Sequence, residues 1–219
     1  MTIRVLVADD QAMIRGALAG LLDLERDIEV VAQAADGAQA LDELARLAGA
    51  SDPSGASGPA RASAPVDVAI IDIEMPRMDG ITATQAIRSR FPGVRVLIVT
   101  TFGRPGYLQR ALDAGATGFM VKDAPVETLA EGVRTVAAGG RAIDQSLALE
   151  ALSTGSSPLT DREADVLREV EGGGTIADIA RSLHLSQGTV RNHVSSAMLK
   201  MDARTRAEAA TLARSAGWL

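Results

Sequence analysis

The sequence contains no cysteine and only two histidines, His184 and His193. The missing thiols exclude disulfides, a thiol nucleophile and a cysteine-ligated zinc site, and two histidines are too few for a histidine-rich metal site. No stretch reaches the ~18 consecutive apolar residues that indicate a transmembrane helix. The first residues turn acidic at Asp9 and Asp10 and lack the layout of a signal peptide. These absences favour a cytoplasmic protein without membrane insertion.

The net charge of −6 argues weakly against nucleic-acid binding, but the charge is unevenly distributed. Residues 1–154 carry the whole negative excess, whereas residues 155–219 are neutral as a group. Within that group, residues 181–219 hold six Lys and Arg against two Asp and Glu, a net charge of +4. A short basic stretch in an otherwise acidic chain is typical of a DNA-binding surface.

Short β-branched apolar runs alternate with helical patterns over the first part of the chain. Apolar runs without alternation indicate strands buried on both faces, and regular alternation of strand and helix predicts a parallel sheet with right-handed crossovers. The pattern fits a flavodoxin-like (βα)5 domain of the α/β class over residues 1–138. The predicted strands are 3–8, 28–33, 66–71, 94–99 and 117–121, and the helices lie near 11–24, 37–48, 81–90, 105–114 and 125–138.

The strand pattern ends at Gly139-Gly140, and a Ser-, Gly- and Pro-containing segment at 153–158 indicates a linker over residues 139–156. Residues 157–219 then predict a small all-α domain of four helices. Thr160 and Glu163 form a capping-box pattern, and Ser186 is a candidate N-cap. The four helices are expected near 160–171, 175–182, 186–200 and 204–216.

One segment interrupts the alternation of strands and helices. Residues 49–65 are rich in Gly, Ser, Ala and Pro and have no apolar period, which predicts a loop inserted before the third strand. The segment carries no chemistry that suggests a function.

Polar residues follow four of the predicted strands: Asp9-Asp10, Asp72, Thr100-Thr101 and Lys122. Singly they have ordinary structural explanations, but the carboxyl ends of parallel strands share the ligand-binding edge of a sheet. Clustered carboxylates bind Mg²⁺ through oxygen, and the metal offsets the charge of an incoming phosphoryl group. A carboxylate can form an acyl phosphate, and a hydroxyl and an ammonium can bind the phosphoryl oxygens. The set therefore indicates a Mg²⁺-dependent phosphorylation site.

Four motifs in this part of the chain are VLVADD (5–10), DIEMPRMDG (72–80), VTTF (99–102) and GFMVKD (118–123). With these motifs, residues 1–138 resemble the two-component receiver domains, and the segment from Asp72 to Gly80 is highly specific. The resemblance implies that Asp72 is the phospho-acceptor and that a sensor histidine kinase is the phosphoryl donor. It also implies further roles: Asp9 and Asp10 as Mg²⁺ ligands, the Glu74 backbone carbonyl as another, Thr100 as the switch hydroxyl, Lys122 as the phosphoryl-binding lysine, and Phe119 as either a switch aromatic or a core residue.

Three further features point to a subfamily. Lys122 is followed by Asp-Ala-Pro, which resembles the NarL/FixJ regulators. The segment TTFGRPGYLQRAL (100–112), the ADDQ near the start and the GWL at 217–219 resemble the DesR-like regulators. The input signal is not implied by this likeness.

SLHLSQGTVRNHVSSAMLKM (182–201) has the pattern of a helix-turn-helix, with an apolar face at Val190, Val194 and Met198. That face leaves Arg191, Asn192 and Ser195 free to meet DNA. Arg pairs well with guanine and Asn with adenine. Thr189 and Lys200 are candidate phosphate contacts.

LTDREADVL (159–167), IADIARSLHLS (176–186) and TVRNHV (189–194) resemble the LuxR-type DNA-binding domain over residues 157–219. The likeness implies base contacts by Arg191, Asn192 and Ser195. It implies double-stranded promoter DNA and RNA polymerase as partners, and a homodimer that forms on phosphorylation.

Two dimer surfaces are expected. The last helix carries Ala207, Ala209, Ala210 and Ala213, which could pack closely against a second copy. The first receiver helix offers Met13, Leu18, Leu21 and Leu22, and the fifth offers Leu129, Val133 and Val136. Some of these receiver residues must belong to the core.

Two alternatives remain open. A phosphatase or hydrolase could use Asp9 or Asp72 as its nucleophile, although it would leave residues 157–219 unexplained. Alternatively, the C-terminal helices could bind a protein instead of DNA, which the positions of Arg191 and Asn192 argue against.

Overall fold

The structure is a computed structural model that describes residues 2–50, 66–101, 103–144, 147–149 and 157–219. These residues fall into two compact units, one with a β-sheet and one with only helices. No helix in the described ranges is long and apolar enough to cross a membrane. The predicted loop at 49–65 lies outside the described residues from 51 onward.

The first unit contains a parallel sheet of six strands in its described part. Five helices alternate with these strands, as the sequence predicts for a doubly wound fold. The strands are β1 Ile3–Ala8, β2 Ile28–Ala34, β3 Val68–Ile71, β4 Arg95–Thr100, β5 Gly118–Val121 and β6 Ala142–Ile143, and the helices are α1 Ala12–Leu22, α2 Gly37–Ala50, α3 Gly80–Arg90, α4 Pro105–Asp113 and α5 Val126–Ala137. The strand order in the sheet is β2-β1-β3-β4-β5-β6.

Both faces of the sheet are covered, which explains the continuous apolar runs of the central strands. On one face, alternate residues of β1, β3 and β4 pack against α1 and α5. The intervening residues, including Leu6, Ile71 and Ile98, are also fully buried. Leu22, Leu129, Val133 and Val136 lie in this core, so they are not available as a dimer surface. Met13 and Leu21 remain exposed on α1.

The sixth strand was not expected, because the sequence pattern predicts a linker from residue 139. Ala142 and Ile143 pair with Gly118 and Phe119 of β5. The Asp144 amide also donates a hydrogen bond to the Phe119 carbonyl, at 3.2 Å. A strand of two residues is too short to produce an apolar period, so local sequence could not indicate it.

Residues 157–219 of the second unit form four helices: α6 Asp161–Glu171, α7 Ile176–Ser182, α8 Gln187–Lys200 and α9 Arg206–Ser215. The predicted capping box at Thr160 and Glu163 is present, and Ser186 caps α8 by accepting a hydrogen bond from the Thr189 amide. Thr175 and Asp178 form a second capping box, at α7. These caps satisfy amide groups that the first turn of a helix leaves without partners.

The core of this unit draws on all four helices. Ala209, Ala210 and Ala213 of α9 are buried in it, so the prediction that the alanine face of the last helix packs against a second copy is wrong. Only Ala207 of that set is exposed. Small side chains allow α9 to approach its neighbours closely within the same chain.

Candidate functional site

The predicted polar residues meet at the carboxyl edge of the sheet because the strands end in register. β1 and β3 are paired up to Ala8 and Ile71, so Asp9 and Asp72 follow adjacent strand ends. The Asp72 amide donates a hydrogen bond to the Ala8 carbonyl, at 2.9 Å. The Lys122 amide similarly donates to the Thr100 carbonyl, which joins the ends of β4 and β5.

Asp9, Asp10 and Asp72 each offer a carboxylate oxygen, and these oxygens lie within 4.8 Å of one another. Asp9 is 1% exposed and Asp72 is 4% exposed, whereas Asp10 is open to solvent. No described residue donates a hydrogen bond to the buried Oδ2 atom of Asp9. Three carboxylates that offer only oxygen ligands, one of them a buried oxygen without a hydrogen-bond donor, fit a hard divalent cation. These carboxylates could therefore hold Mg²⁺.

Lys122 lies between the two buried carboxylates. Its Nζ atom donates a hydrogen bond to Asp72 Oδ2, at 2.9 Å, and is 2.7 Å from Asp9 Oδ2 in an ion pair outside hydrogen-bond geometry. Burial disfavours the charged form of Lys122, but the attraction of the Asp9 and Asp72 carboxylates is stronger than this effect. The pKa of the Lys122 ammonium is therefore raised. Burial raises the pKa of Asp72, while Lys122 acts in the opposite direction. The single ammonium therefore partly balances two buried carboxylates.

The loop from Asp72 to Gly80 fixes the orientation of the acceptor carboxylate. The Ile73 amide donates to Asp72 Oδ1, at 2.8 Å, and the Gly80 amide donates to the Ile73 carbonyl, at 2.9 Å. A Cβ atom at position 80 would overlap the Asp72 carbonyl oxygen, so the loop requires glycine there. Asp79 then caps α3 through the amides of Ile81 and Thr82.

Two arginines near the site were not singled out from the sequence. Arg15 Nη1 donates to the Asp9 carbonyl, at 2.6 Å, and so holds the turn between β1 and α1. Arg77 forms an ion pair with the buried carboxylate of Asp36, although its φ of 63° lies in the left-handed region. The contact of Arg15 could have been predicted from the sequence, because Arg15 lies only six residues after Asp9, near the start of the predicted helix. Arg77 and Asp36 are too far apart in sequence for a local pattern to join them.

The remaining predicted residues of this edge differ in accessibility. Thr100 is 1% exposed and lies at the end of β4, whereas the Glu74 side chain is exposed. Phe119 is completely buried, as its interpretation as a core aromatic requires. Its role as a switch stays a prediction.

In the second unit, α8 presents Arg191, Asn192 and Ser195 to solvent, while Val190 and Val194 face the core. Thr189 is half-buried, and its hydroxyl lies 2.8 Å from that of Ser186. The three predicted base contacts are therefore accessible on one helix. Their contacts with bases stay a prediction.

A model of the response regulator receiver domain matches residues 5–134, and a model of the luxR family of bacterial regulatory proteins matches residues 157–213. This chain belongs to the response regulators with a LuxR-type DNA-binding domain. It is therefore a two-component transcription regulator, and the predicted α/β receiver followed by a helical helix-turn-helix domain is confirmed.

Relatives of this response regulator are similar over nearly their whole length. The uncharacterized transcriptional regulatory protein YvfU of Bacillus subtilis is 39% identical, over 99% of this chain and 100% of YvfU. The transcriptional regulatory protein DesR of Bacillus subtilis is 38% identical, over 99% and 98% of the two chains, which confirms the DesR-like resemblance. The crystal structure of the response regulator ChrA, from a heme-sensing two-component system, is similar with a TM-score of 0.54. Its sequence is 31% identical, and the match covers 100% of this chain and 99% of the ChrA chain.

These comparisons favour a regulator over the phosphatase or hydrolase alternative, because the relatives are transcriptional regulators. They also assign the C-terminal unit to a DNA-binding family, in preference to a module that binds only proteins.

One predicted DNA contact of this response regulator has a partner inside its own domain. Lys200 Nζ donates to Glu163 Oε2, at 2.6 Å, and Ser196 Oγ donates to Glu163 Oε1, at 2.6 Å. Burial favours protonation of Glu163, but the hydrogen bonds from Lys200, Ser196 and Thr160 outweigh it and lower the pKa to about 2. The sequence identified Glu163 only as part of a capping box, because contacts between distant helices leave no local signal.

Proposed function

We propose that phosphorylation of Asp72 by a partner sensor histidine kinase promotes dimerisation and sequence-specific binding to promoter DNA. The observation that carries this proposal is the hydrogen bond from Lys122 to Asp72, at 2.9 Å, beside the carboxylates of Asp9 and Asp10. A buried carboxylate with an ammonium partner and an acidic cluster beside it has the parts needed for phosphoryl transfer.

In the transfer, a carboxylate oxygen of Asp72 forms a bond to phosphorus as the phosphorus–nitrogen bond of the donor phosphohistidine breaks. The released imidazole leaves with the electron pair of that bond. The Ile73 amide limits rotation of the Asp72 carboxylate, so its oxygens face the incoming group. Lys122 and the Thr100 hydroxyl then bind the phosphoryl oxygens.

Asp9, Asp10, Asp72 and the Glu74 backbone carbonyl would hold Mg²⁺, which supplies positive charge to offset that of the phosphoryl group. The same arrangement supports self-phosphorylation from a small phosphodonor such as acetyl phosphate. Slow hydrolysis of the acyl phosphate then returns Asp72 to its unmodified state.

A receiver surface for dimerisation lies along α1. A groove of about 240 Å³ between α1 and α5 is lined by Ile14, Leu18, Leu21 and Val126. Met13, which is 84% exposed, and Leu24 extend the apolar character of this side. An apolar groove edged by exposed Met and Leu side chains suits a second copy of the receiver. Because Val133 and Val136 are buried, the exposed apolar side chains of this proposed surface come mainly from α1.

DNA binding by α8 is the output of the proposal. Arg191, Asn192 and Ser195 would contact bases, with Thr189 on the phosphate backbone. A dimer holds two such helices at once, so it raises the effective concentration of the second at the paired half-site. RNA polymerase is then recruited or blocked at the promoter.

The experiment that tests the phosphorylation step is intact-mass analysis after incubation with acetyl phosphate and Mg²⁺. We expect one phosphoryl group on the wild-type chain and none on Asp72→Asn or in the presence of EDTA. Asp42→Asn is the matched control, because Asp42 is an exposed carboxylate on α2. Equal labelling of Asp72→Asn would contradict the assignment.

A further inference from the structure

Glu163 connects the first helix of the C-terminal unit with the recognition helix α8. Its Oε1 atom accepts from Ser196 and its Oε2 atom accepts from both Lys200 and the Thr160 amide, at 2.6, 2.6 and 2.7 Å. The residue is 4% exposed. One buried carboxylate therefore caps α6 and contacts α8 at two positions.

The two contacts on α8 are four residues apart, so they lie one above the other on the same helix face. Val190, Val194 and Ala197 also pack toward the core from α8. Apolar packing of this kind is non-directional, and the small side chain of Ala197 constrains helix rotation weakly. Charge-assisted hydrogen bonds are directional, so the contacts to Ser196 and Lys200 define the rotation of α8 more sharply.

The rotation of α8 matters because Arg191, Asn192 and Ser195 project from the same helix. Successive residues of a helix differ by about 100° in direction, so a modest rotation changes which atoms meet a base edge. Contacts to phosphate tolerate such a shift better, because they carry no sequence information.

We propose that Glu163 is a positioning residue for DNA recognition and that Lys200 serves as its partner rather than as a phosphate contact. The proposal rests on the proposed function, in which α8 contacts bases. It predicts a loss of sequence preference, with little loss of general DNA affinity, when the contact is removed.

The test uses the full chain and two probes: a duplex enriched from a random-sequence library by the wild-type protein, and a scrambled duplex of the same composition. Affinities are measured by fluorescence anisotropy over a series of salt concentrations for Glu163→Gln, Lys200→Met and Ser196→Ala. Asp165→Asn is the matched control, because it makes the same charge change on α6 and, among the described residues, Asp165 forms its ion pairs with Arg162 and Arg168 of that same helix. Trp218 fluorescence during urea unfolding identifies any variant that fails to fold.

We expect Glu163→Gln and Lys200→Met to lower the affinity for the enriched duplex about tenfold, and that for the scrambled duplex less than about twofold. Ser196→Ala, which keeps the ion pair, should lose about threefold on the enriched duplex and provides the test if the other variants do not fold. The salt dependence of Lys200→Met should match that of the wild type.

Three results would overturn the proposal: an unchanged preference in Glu163→Gln, an equal loss in Asp165→Asn, or a salt slope that falls by about 0.9 in Lys200→Met with equal weakening on both duplexes. The last result would make Lys200 a phosphate contact.

Arg191→Ala distinguishes a failure of the proposed DNA contacts of α8 from a failure of the positioning role of Glu163. If it keeps the preference, the proposed function of α8 fails; if it loses the preference while Glu163→Gln retains it, only the positioning role fails.

Discussion

The ammonium of Lys122 donates a hydrogen bond to the buried carboxylate of Asp72, at 2.9 Å. The same ammonium is 2.7 Å from Asp9, so one positive charge faces two carboxylates that are almost inaccessible to water. Phosphorylation would place additional negative charge on Asp72 beside this ammonium. The contact of Lys122 with Asp72 should therefore affect both the stability of the receiver and the phosphorylation of Asp72.

Replacing Lys122 with Met should destabilise the receiver by about 3 kcal/mol in EDTA, because it leaves two buried carboxylates without their cation. Mg²⁺ should restore part of the loss by binding the same carboxylates. Urea unfolding followed by circular dichroism, with and without Mg²⁺, measures both effects. Lys122→Arg is the charge-retaining control, and equal stability of Lys122→Met and the wild type in EDTA would contradict the pairing.

Gly80→Ala should destabilise the receiver by about 3 kcal/mol, because the added Cβ atom would overlap the Asp72 carbonyl oxygen. Gly16→Ala on α1 is the matched control. A Cβ atom there meets nothing within 4 Å, so the change should stabilise the helix by about 0.5–1 kcal/mol. Urea unfolding measures both, and a Gly80→Ala protein as stable as the wild type would show that the loop can move aside.

The pKa of Glu163, lowered to about 2, predicts an acid dependence of the C-terminal unit. A carboxylate with a lowered pKa in the folded state contributes stability above its unfolded pKa of about 4.3, and this contribution disappears as the pH falls toward 2. At pH 7 Glu163→Gln should be less stable than the wild type by about 2 kcal/mol, and the difference should vanish at low pH. Trp218 is the only tryptophan, so its fluorescence reports unfolding of this unit. A difference independent of pH would show that the Glu163 charge contributes nothing.

Arg191→Ala should weaken binding to the enriched duplex by about 1–3 kcal/mol, while binding to a scrambled duplex changes less. Arg162→Ala on α6 is the control, because it removes an exposed arginine whose ion-pair partner, within the part of the chain that the structure describes, is Asp165 of its own helix. Anisotropy titrations at fixed salt give both affinities. An equal loss on both duplexes would assign Arg191 to the phosphate backbone.

Local sequence patterns predicted strands β1 to β5 closely because these strands are rich in apolar residues, whereas the two-residue strand β6 was missed. The clustering of polar residues was predictable too, since Asp9, Asp72 and Lys122 follow strand ends, Thr100 is the last residue of β4, and parallel topology brings these ends to one edge of the sheet. Their roles in phosphoryl transfer stay a prediction.

Contacts between distant segments could not be predicted in the same way. Small or apolar side chains on α9 and α5 suggested dimer surfaces, yet Ala209, Ala210 and Ala213 of α9 and Leu129, Val133 and Val136 of α5 belong to the cores of their own domains. The positive charge and position of Lys200 suggested a phosphate contact, yet its ammonium pairs with Glu163, which lies 37 residues away in the sequence. Local periodicity shows which helix face is apolar or charged, whereas only the tertiary structure shows what that face meets.

The most direct test of the central claim is the affinity of the full chain for its enriched duplex before and after treatment with acetyl phosphate and Mg²⁺. Treatment should tighten the binding of the wild type and of Asp42→Asn by about tenfold or more, through dimerisation, and should leave the affinity of Asp72→Asn unchanged. An equal gain in Asp72→Asn, or no gain in a wild-type chain shown to be phosphorylated, would contradict it.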